Sequence, residues 1–207
     1  MTALAQVPSD FLVALGALRR ARCRSELRLE EIPAPSRLAP FAVALGAEVI
    51  GPDPARRAVH GPAMLAAPQA DPQELATGRF ILLHDPEGSD VWEGTFRIVT
   101  YIRAQLEPDM GNDAMLGSVA WTWLVEALDS HRAAYRSAGG TATRILSESY
   151  GTLSERQDSI DIELRASWTP AEADVQAHLE AWSDMVCTFA GLPPLPEGVR
   201  ALPHRRS

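Results

Sequence analysis

The sequence predicts an α+β protein in which helices pack on a single antiparallel sheet of about five strands, and three observations carry that prediction. The run Ser159–Trp168 alternates Ile160, Ile162, Leu164, Ala166 and Trp168 with Asp161, Glu163, Arg165 and Ser167, which is the period of a strand with one buried and one wet face. Thr169-Pro170-Ala171-Glu172 then has the form of a capping box with proline at the first helical position. After it, Val175, Leu179, Trp182, Val186 and Phe189 recur at spacings of four and three, and Gly191 and Pro193-Pro194 close the stripe. These features read as a helix laid across a sheet.

The remaining elements follow in chain order. Pro8 to Arg24 reads as a helix capped by Ser9, with Phe11, Leu12, Leu15 and Leu18 on one face and a solvated cluster of Arg19, Arg20, Arg22 and Arg24 at its end. Glu26 to Ile32 alternates as a strand, and the prolines of Ile32-Pro-Ala-Pro35 turn the chain. Phe41 to Ile50 is a second strand, its β-branched alternation and Gly46 outweighing its alanines. Gly51 to Thr77 is rich in Pro, Ala and Gly and reads as a mobile insertion, with Arg79–Asp85 beyond it as a strand covered on both faces. Asp90-Val-Trp-Glu93 is another capping box and opens a helix with Trp92, Phe96, Val99, Ile102 and Leu106 on its stripe, ended by Pro108. A further helix runs from Asp113 to about Arg136, and Thr141 to Tyr150 is a strand after the Gly139-Gly140 break. The expected order is α-β-β-β-α-α-β-β-α in one domain, 1–207, with an irregular tail from about 193.

Composition excludes more than it assigns. All nineteen basic residues are arginine, so Walker-type phosphate loops, kinase ATP sites, pyridoxal Schiff bases and lysine-base β-lactamase sites cannot be built. The net charge of −8 argues against broad binding of nucleic acid or anionic membrane, including through the Arg19 to Arg24 cluster. No apolar run reaches the length of a membrane span, and the N-terminus lacks a basic start with a long apolar stretch, so a cytoplasmic protein is expected. Cys23 and Cys187 form neither a disulfide framework nor a metal knuckle, and no cofactor or metal is expected.

Several separate words of the sequence together resemble one family. Leu29-Glu-Glu-Ile-Pro-Ala-Pro35, Arg37-Leu-Ala-Pro-Phe41, Glu74-Leu-Ala-Thr-Gly-Arg-Phe80, Leu83-His-Asp-Pro86, Trp92-Glu-Gly-Thr-Phe-Arg97, Ser147-Glu-Ser149, Arg165-Ala-Ser-Trp-Thr-Pro170 and Ala177-His-Leu-Glu-Ala-Trp182 resemble an actinobacterial family of about this length whose domain is of unknown function. The resemblance covers nearly the whole chain outside Gly51 to Gln73 and implies no reaction. The order of elements is also similar to type III secretion chaperones and YbjN-like proteins, small binding proteins that are often dimers, with one helix more between the third and fourth strands.

Candidate sites divide between chemistry and binding. His84 and Asp85 at a strand end, with Glu93 at a helix start, form the best candidate for general-base or metal chemistry, although Asp85-Pro86 and Glu93 also have ordinary turn and cap roles. Weaker candidates for binding are Trp92, Arg97, Arg144, Asp161, Glu163 and Arg165. Ser147-Glu-Ser-Tyr-Gly151 lacks the glycine of a nucleophile elbow, and His178 and Glu180 fall into no metal spacing. Trp121, Trp123, Trp168 and Trp182 could cradle a flat ligand but sit at core positions. The expectation is a non-enzymatic binding or adaptor protein of chaperone-like kind, acting on a protein partner or as a homodimer. The alternative is a small hydrolase or metal-dependent enzyme using His84, Asp85 and Glu93. Pairing Arg144 with Glu163 and Ile145 with Ile162 fixes the expected register of the last hairpin, because other slips oppose like charges or invert a face.

Overall fold

The computed structural model describes residues 7–51, 74–106, 114–155 and 158–192. Its elements are α1 (Ser9–Arg20), β1 (Leu27–Ile32), β2 (Phe41–Ile50), β3 (Glu74–Ser89), β4 (Gly94–Leu106), α2 (Leu116–Ser130), β5 (Tyr135–Ser147), β6 (Ser159–Pro170) and α3 (Gln176–Phe189), with a short 3₁₀ turn at Gly151–Leu153. The six strands form one antiparallel sheet in the order β1-β2-β3-β4-β6-β5. The α+β class and the single antiparallel sheet are as the sequence predicts, with six strands in place of about five. Among the described residues no helix is long and apolar enough to cross a membrane.

One face of the sheet carries the core. Phe80 and Leu82 of β3, Ile98 and Ile102 of β4, and Ile162, Leu164 and Trp168 of β6 point at the helices and are almost wholly buried. Leu179, Trp182, Met185 and Val186 of α3 meet them, so the stripe read from the sequence is the one that packs. Trp182 fits because Gly78 on β3 has no side chain in its way. The α1 ring of Phe11 stacks on His84 at 5.8 Å, and α2 lies over β5 with Trp121 above Gly140. The opposite face has no described helix on it.

The sixth strand is the segment expected to be a helix, Asp90 to Leu106. Asp90-Val-Trp-Glu93 is instead the hairpin turn between β3 and β4, where the amide of Trp92 donates to Ser89 O at 3.1 Å and Glu93 takes φ 55°. Beyond it Phe96, Ile98, Thr100, Ile102 and Ala104 are buried in strict alternation. The β-branched run and two flanking strands outweigh a local capping pattern. β6 likewise continues through Thr169 and Pro170, so the second capping box is strand, and α3 starts at Gln176, whose amide donates to Asp174 Oδ1 at 3.2 Å.

The hairpin register differs from the expected one by a single residue. Thr143 pairs with Glu163, Arg144 with Ile162 and Ile145 with Asp161, so Arg144 and Glu163 lie on opposite faces. Packing against α2 decides this. A Cβ on Gly140 would stand 2.8 Å from Trp121, and Ala142 sits 3.4 Å from the Cβ position of Gly117, so the small even-numbered residues must face the helix. β5 also begins at Tyr135, six residues before Thr141, with a bulge between Arg136 and Gly139.

Other boundaries move less. β3 begins at Glu74, so the expected insertion is four residues shorter at its end, and residues 52–73 and the tail from 193 lie outside the described residues. Arg24 is not part of a solvated cluster: it is buried, its amide donating to Ser183 Oγ at 2.9 Å and its guanidinium paired with Glu26.

Candidate functional site on the open sheet face

The face without described helices is organised in cross-strand rows. Strand pairing aligns Glu30, Gly46, Arg79, Tyr101, Arg165 and Thr141 across all six strands. Ile32, Ala44, Ile81, Val99 and Ser167 form the neighbouring row. Residues directly opposite one another in adjacent strands have Cβ atoms about 4.5–5.5 Å apart, so the first row sets two guanidiniums on either side of a phenol ring. Arg79, Ile81, Val99, Tyr101 and Arg165 line a groove of about 460 Å³.

The polar groups of this groove are held in place from beside it. Tyr101 donates its hydroxyl to Glu163 Oε1 at 2.8 Å, and Arg165 Nη2 donates to Glu163 Oε2 at 2.9 Å while its guanidinium carbon lies 5.7 Å from the Tyr101 ring centroid. Burial, and then the Glu163 carboxylate, push the Tyr101 phenol above its usual pKa. In the rows alongside, Arg103 pairs with Asp161 at 2.6 Å. Arg97 donates to Ser137 O, Thr169 Oγ1 and Ser167 Oγ at 2.8, 3.1 and 2.7 Å. Arg79 is exposed and makes no ion pair among the described residues. Among the described residues the groove therefore offers one cation outside any ion pair, a second that shares its carboxylate with Tyr101, and an apolar floor.

The cluster expected to do chemistry has a different geometry. His84 is buried on the helical face between Phe11 and Phe96, its ring 4.2 Å from that of Phe96. Its Nδ1 donates to Thr95 O at 3.0 Å, and Nε2 is buried and without a hydrogen-bond partner among the described residues. Asp85 accepts the amide of Glu87 at 3.1 Å, and Glu93 accepts the Ser137 hydroxyl at 2.5 Å. Among the described residues no hydrogen bond joins these three side chains, and no group of His, Cys, Asp and Glu gathers to hold a metal ion. The tryptophans are packing: Trp168 and Trp182 are fully buried, and Trp123 meets Phe189 edge-on at 6.0 Å.

The sequence model of a family described as "Protein of unknown function (DUF3000)" matches residues 7–200. The chain belongs to the DUF3000 family. No curated protein and no solved structure matches it. Of the binding candidates expected in this DUF3000 chain, Arg97, Asp161, Glu163 and Arg165 share the open face. Arg144 faces the helical side, and Trp92 lies in the β3–β4 turn, where its carbonyl accepts the Thr169 hydroxyl. Arg79 and Ile81 are missing from the expectation because Arg79–Asp85 reads as a strand covered on both faces, and Tyr101, Arg103 and Val99 because a helical Asp90–Leu106 scatters Arg97, Val99, Tyr101 and Arg103 around its circumference. Their signal was the alternation of those four residues with Ile98, Thr100 and Ile102, which in a strand puts all four on one face.

Proposed function

We propose that the protein is a non-enzymatic binding or adaptor protein that holds an acidic segment of a partner protein on its open sheet face. The row Arg79, Tyr101, Arg165 supports this reading, because it is a locally cationic groove on a chain of net charge −8. A carboxylate entering between the two arginines gains charge-assisted hydrogen bonds from Arg79 and from the guanidinium edge of Arg165 that Glu163 leaves open. Apolar side chains next to that carboxylate rest on Ile81 and Val99. The fixed partners of Arg97 and Arg103 hold the walls in one arrangement, which lowers the entropy lost on binding. Free thiols at Cys23 and Cys187 support a cytoplasmic setting.

The test is selection of a random peptide display library on the intact protein, followed by counter-selection on Arg79→Glu/Arg165→Glu. The reading expects enriched peptides to combine Asp or Glu with apolar residues and to lose binding to the variant. Enriched peptides without acidic residues, or acidic peptides that bind the variant equally well, would overturn it.

A further inference from the structure

Resting on the reading of the open face as the seat of an acidic segment, we infer that a second anion site, built on Arg97 and Arg136, takes another carboxylate of that same segment, four residues along an extended chain from the one held between Arg79 and Arg165. Arg97 is half-buried on β4 and donates only to neutral oxygens, the Ser137 carbonyl and the Thr169 and Ser167 hydroxyls. Arg136 donates Nε and Nη2 to the Glu93 carbonyl at 2.9 and 2.7 Å. The two meet around Thr169. Arg97 bonds its hydroxyl, Arg136 is its partner across β5 and β6, and a Cβ on Gly94 would stand 2.8 Å from Arg136 Nη2 and 3.0 Å from Thr169 Cγ2. Glu93 brings a carboxylate to this corner, but it accepts the Ser137 hydroxyl at 2.5 Å, and neither arginine forms an ion pair among the described residues. Half-burying a guanidinium without an opposite charge in contact is unfavourable, and burial lowers the Arg97 pKa against the raising influence of the Glu93 charge. An arriving carboxylate supplies the missing charge.

Spacing sets the pattern of the segment. Arg97, Val99 and Tyr101 share the open face of β4, so Arg97 stands four residues, about 13 Å, from the Arg79, Tyr101, Arg165 row, with Ile81 and Val99 between. An extended peptide has the same rise and turns residues i, i+2 and i+4 to one side, which sets acidic, apolar and acidic side chains over the three rows in turn. That pattern reads the same in either chain direction. The Ser167 hydroxyl accepts from Arg97 and keeps its own proton to donate to the second carboxylate. The corner is also held rigid: Glu93 and Ser137 take φ of 55° and 52°, and the bonds from Arg136 and Arg97 to their carbonyls fix that strained backbone.

NMR titration of the isotope-labelled full chain with two end-capped peptides of one composition tests the inference. The first is Ser-Glu-Ser-Leu-Ser-Glu-Ser, and the second is its isomer Ser-Glu-Ser-Leu-Glu-Ser-Ser, whose second Glu turns away from the sheet. The first is expected to bind about two- to fivefold more tightly, the size of a half-exposed charge pair, and to shift the Ser167 amide where the isomer does not. In Arg136→Gln that advantage over the isomer should disappear. Equal affinity of wild type for the two peptides would overturn the inference and leave the acidic-segment reading standing, and failure of both to bind would overturn the two together. An advantage that persists in folded Arg136→Gln would also overturn it. If that variant does not fold, the isomer comparison and the Ser167 shift on wild type decide.

Discussion

A Cβ placed on Gly78 would lie 2.6 Å from Cζ2 of Trp182 and 3.2 Å from Cγ2 of Val186. Glycine at this point of β3 is therefore a packing residue, the hollow into which the largest side chain of α3 fits. Gly78→Ala should destabilise the fold by about 1–3 kcal/mol through overpacking, read as a lower midpoint in urea with an unchanged slope. Trp182→Ala should cost about 3–5 kcal/mol, and Trp182→Phe should rescue part of the Gly78→Ala loss.

His131, just after α2, has Nε2 at 2.7 Å from Asp184 Oδ2 and Nδ1 at 3.9 Å from Glu180 Oε2, both carboxylates on α3. The hydrogen bond to Asp184, opposed by burial and aided by the charges of Asp184 and Glu180, raises its pKa above the ordinary value. A raised folded pKa means that the pair stabilises fully below about 6.5, the unfolded value, and that its contribution is lost as pH rises through the folded pKa. The stability gap between wild type and His131→Gln, measured by urea unfolding from pH 6 upward, should narrow as pH rises. A gap independent of pH would show that the imidazolium is not what joins the two helices.

His178 works in the other direction. It is buried, accepts the Trp168 indole N–H at 3.1 Å on Nδ1, and burial lowers its pKa to about 4. The unfolded chain then binds its proton first, so stability is present above about 6.5 and falls as pH drops towards the folded value, by roughly 3 kcal/mol over the window. His178→Gln keeps an acceptor for Trp168 and should remove that slope, as thermal melts between pH 7 and pH 4 would show.

Arg97 ties three strands together through the Ser137 carbonyl and the Ser167 and Thr169 hydroxyls. Arg97→Ala should cost about 1–3 kcal/mol, and hydrogen exchange should rise first around Ser137, where the bulged start of β5 loses its anchor.

What was legible in the sequence depended on how far each signal reached. β6 and the α3 stripe were readable because alternation and helical spacing are local and strong. The Asp90–Glu93 and Thr169–Glu172 patterns misled because Ser, Thr, Asp and Glu near a chain reversal satisfy amides in turns as well as at helix starts. The hairpin register was out by one residue for a reason no hairpin pattern contains: Gly140 and Ala142 are set by Trp121 and Gly117 of α2, a contact across sequence. The groove was half legible. Asp161, Glu163 and Arg165 declared an outer face, but Arg79 and Tyr101 join them only once β4 is a strand between β3 and β6.

The last of the described helices, α3, covers strands that are made well before it. About 70 residues separate Leu106, the end of β4, from Gln176, the start of α3. At ordinary translation rates of about 5–20 residues per second, the apolar side of β1 to β4 waits on the order of 4–14 s for Trp182 and its neighbours to leave the ribosome. During that interval the apolar face is open to other chains, and a chain stopped before Gln176 is expected to collect in the pellet of a lysate while the full chain stays in the supernatant.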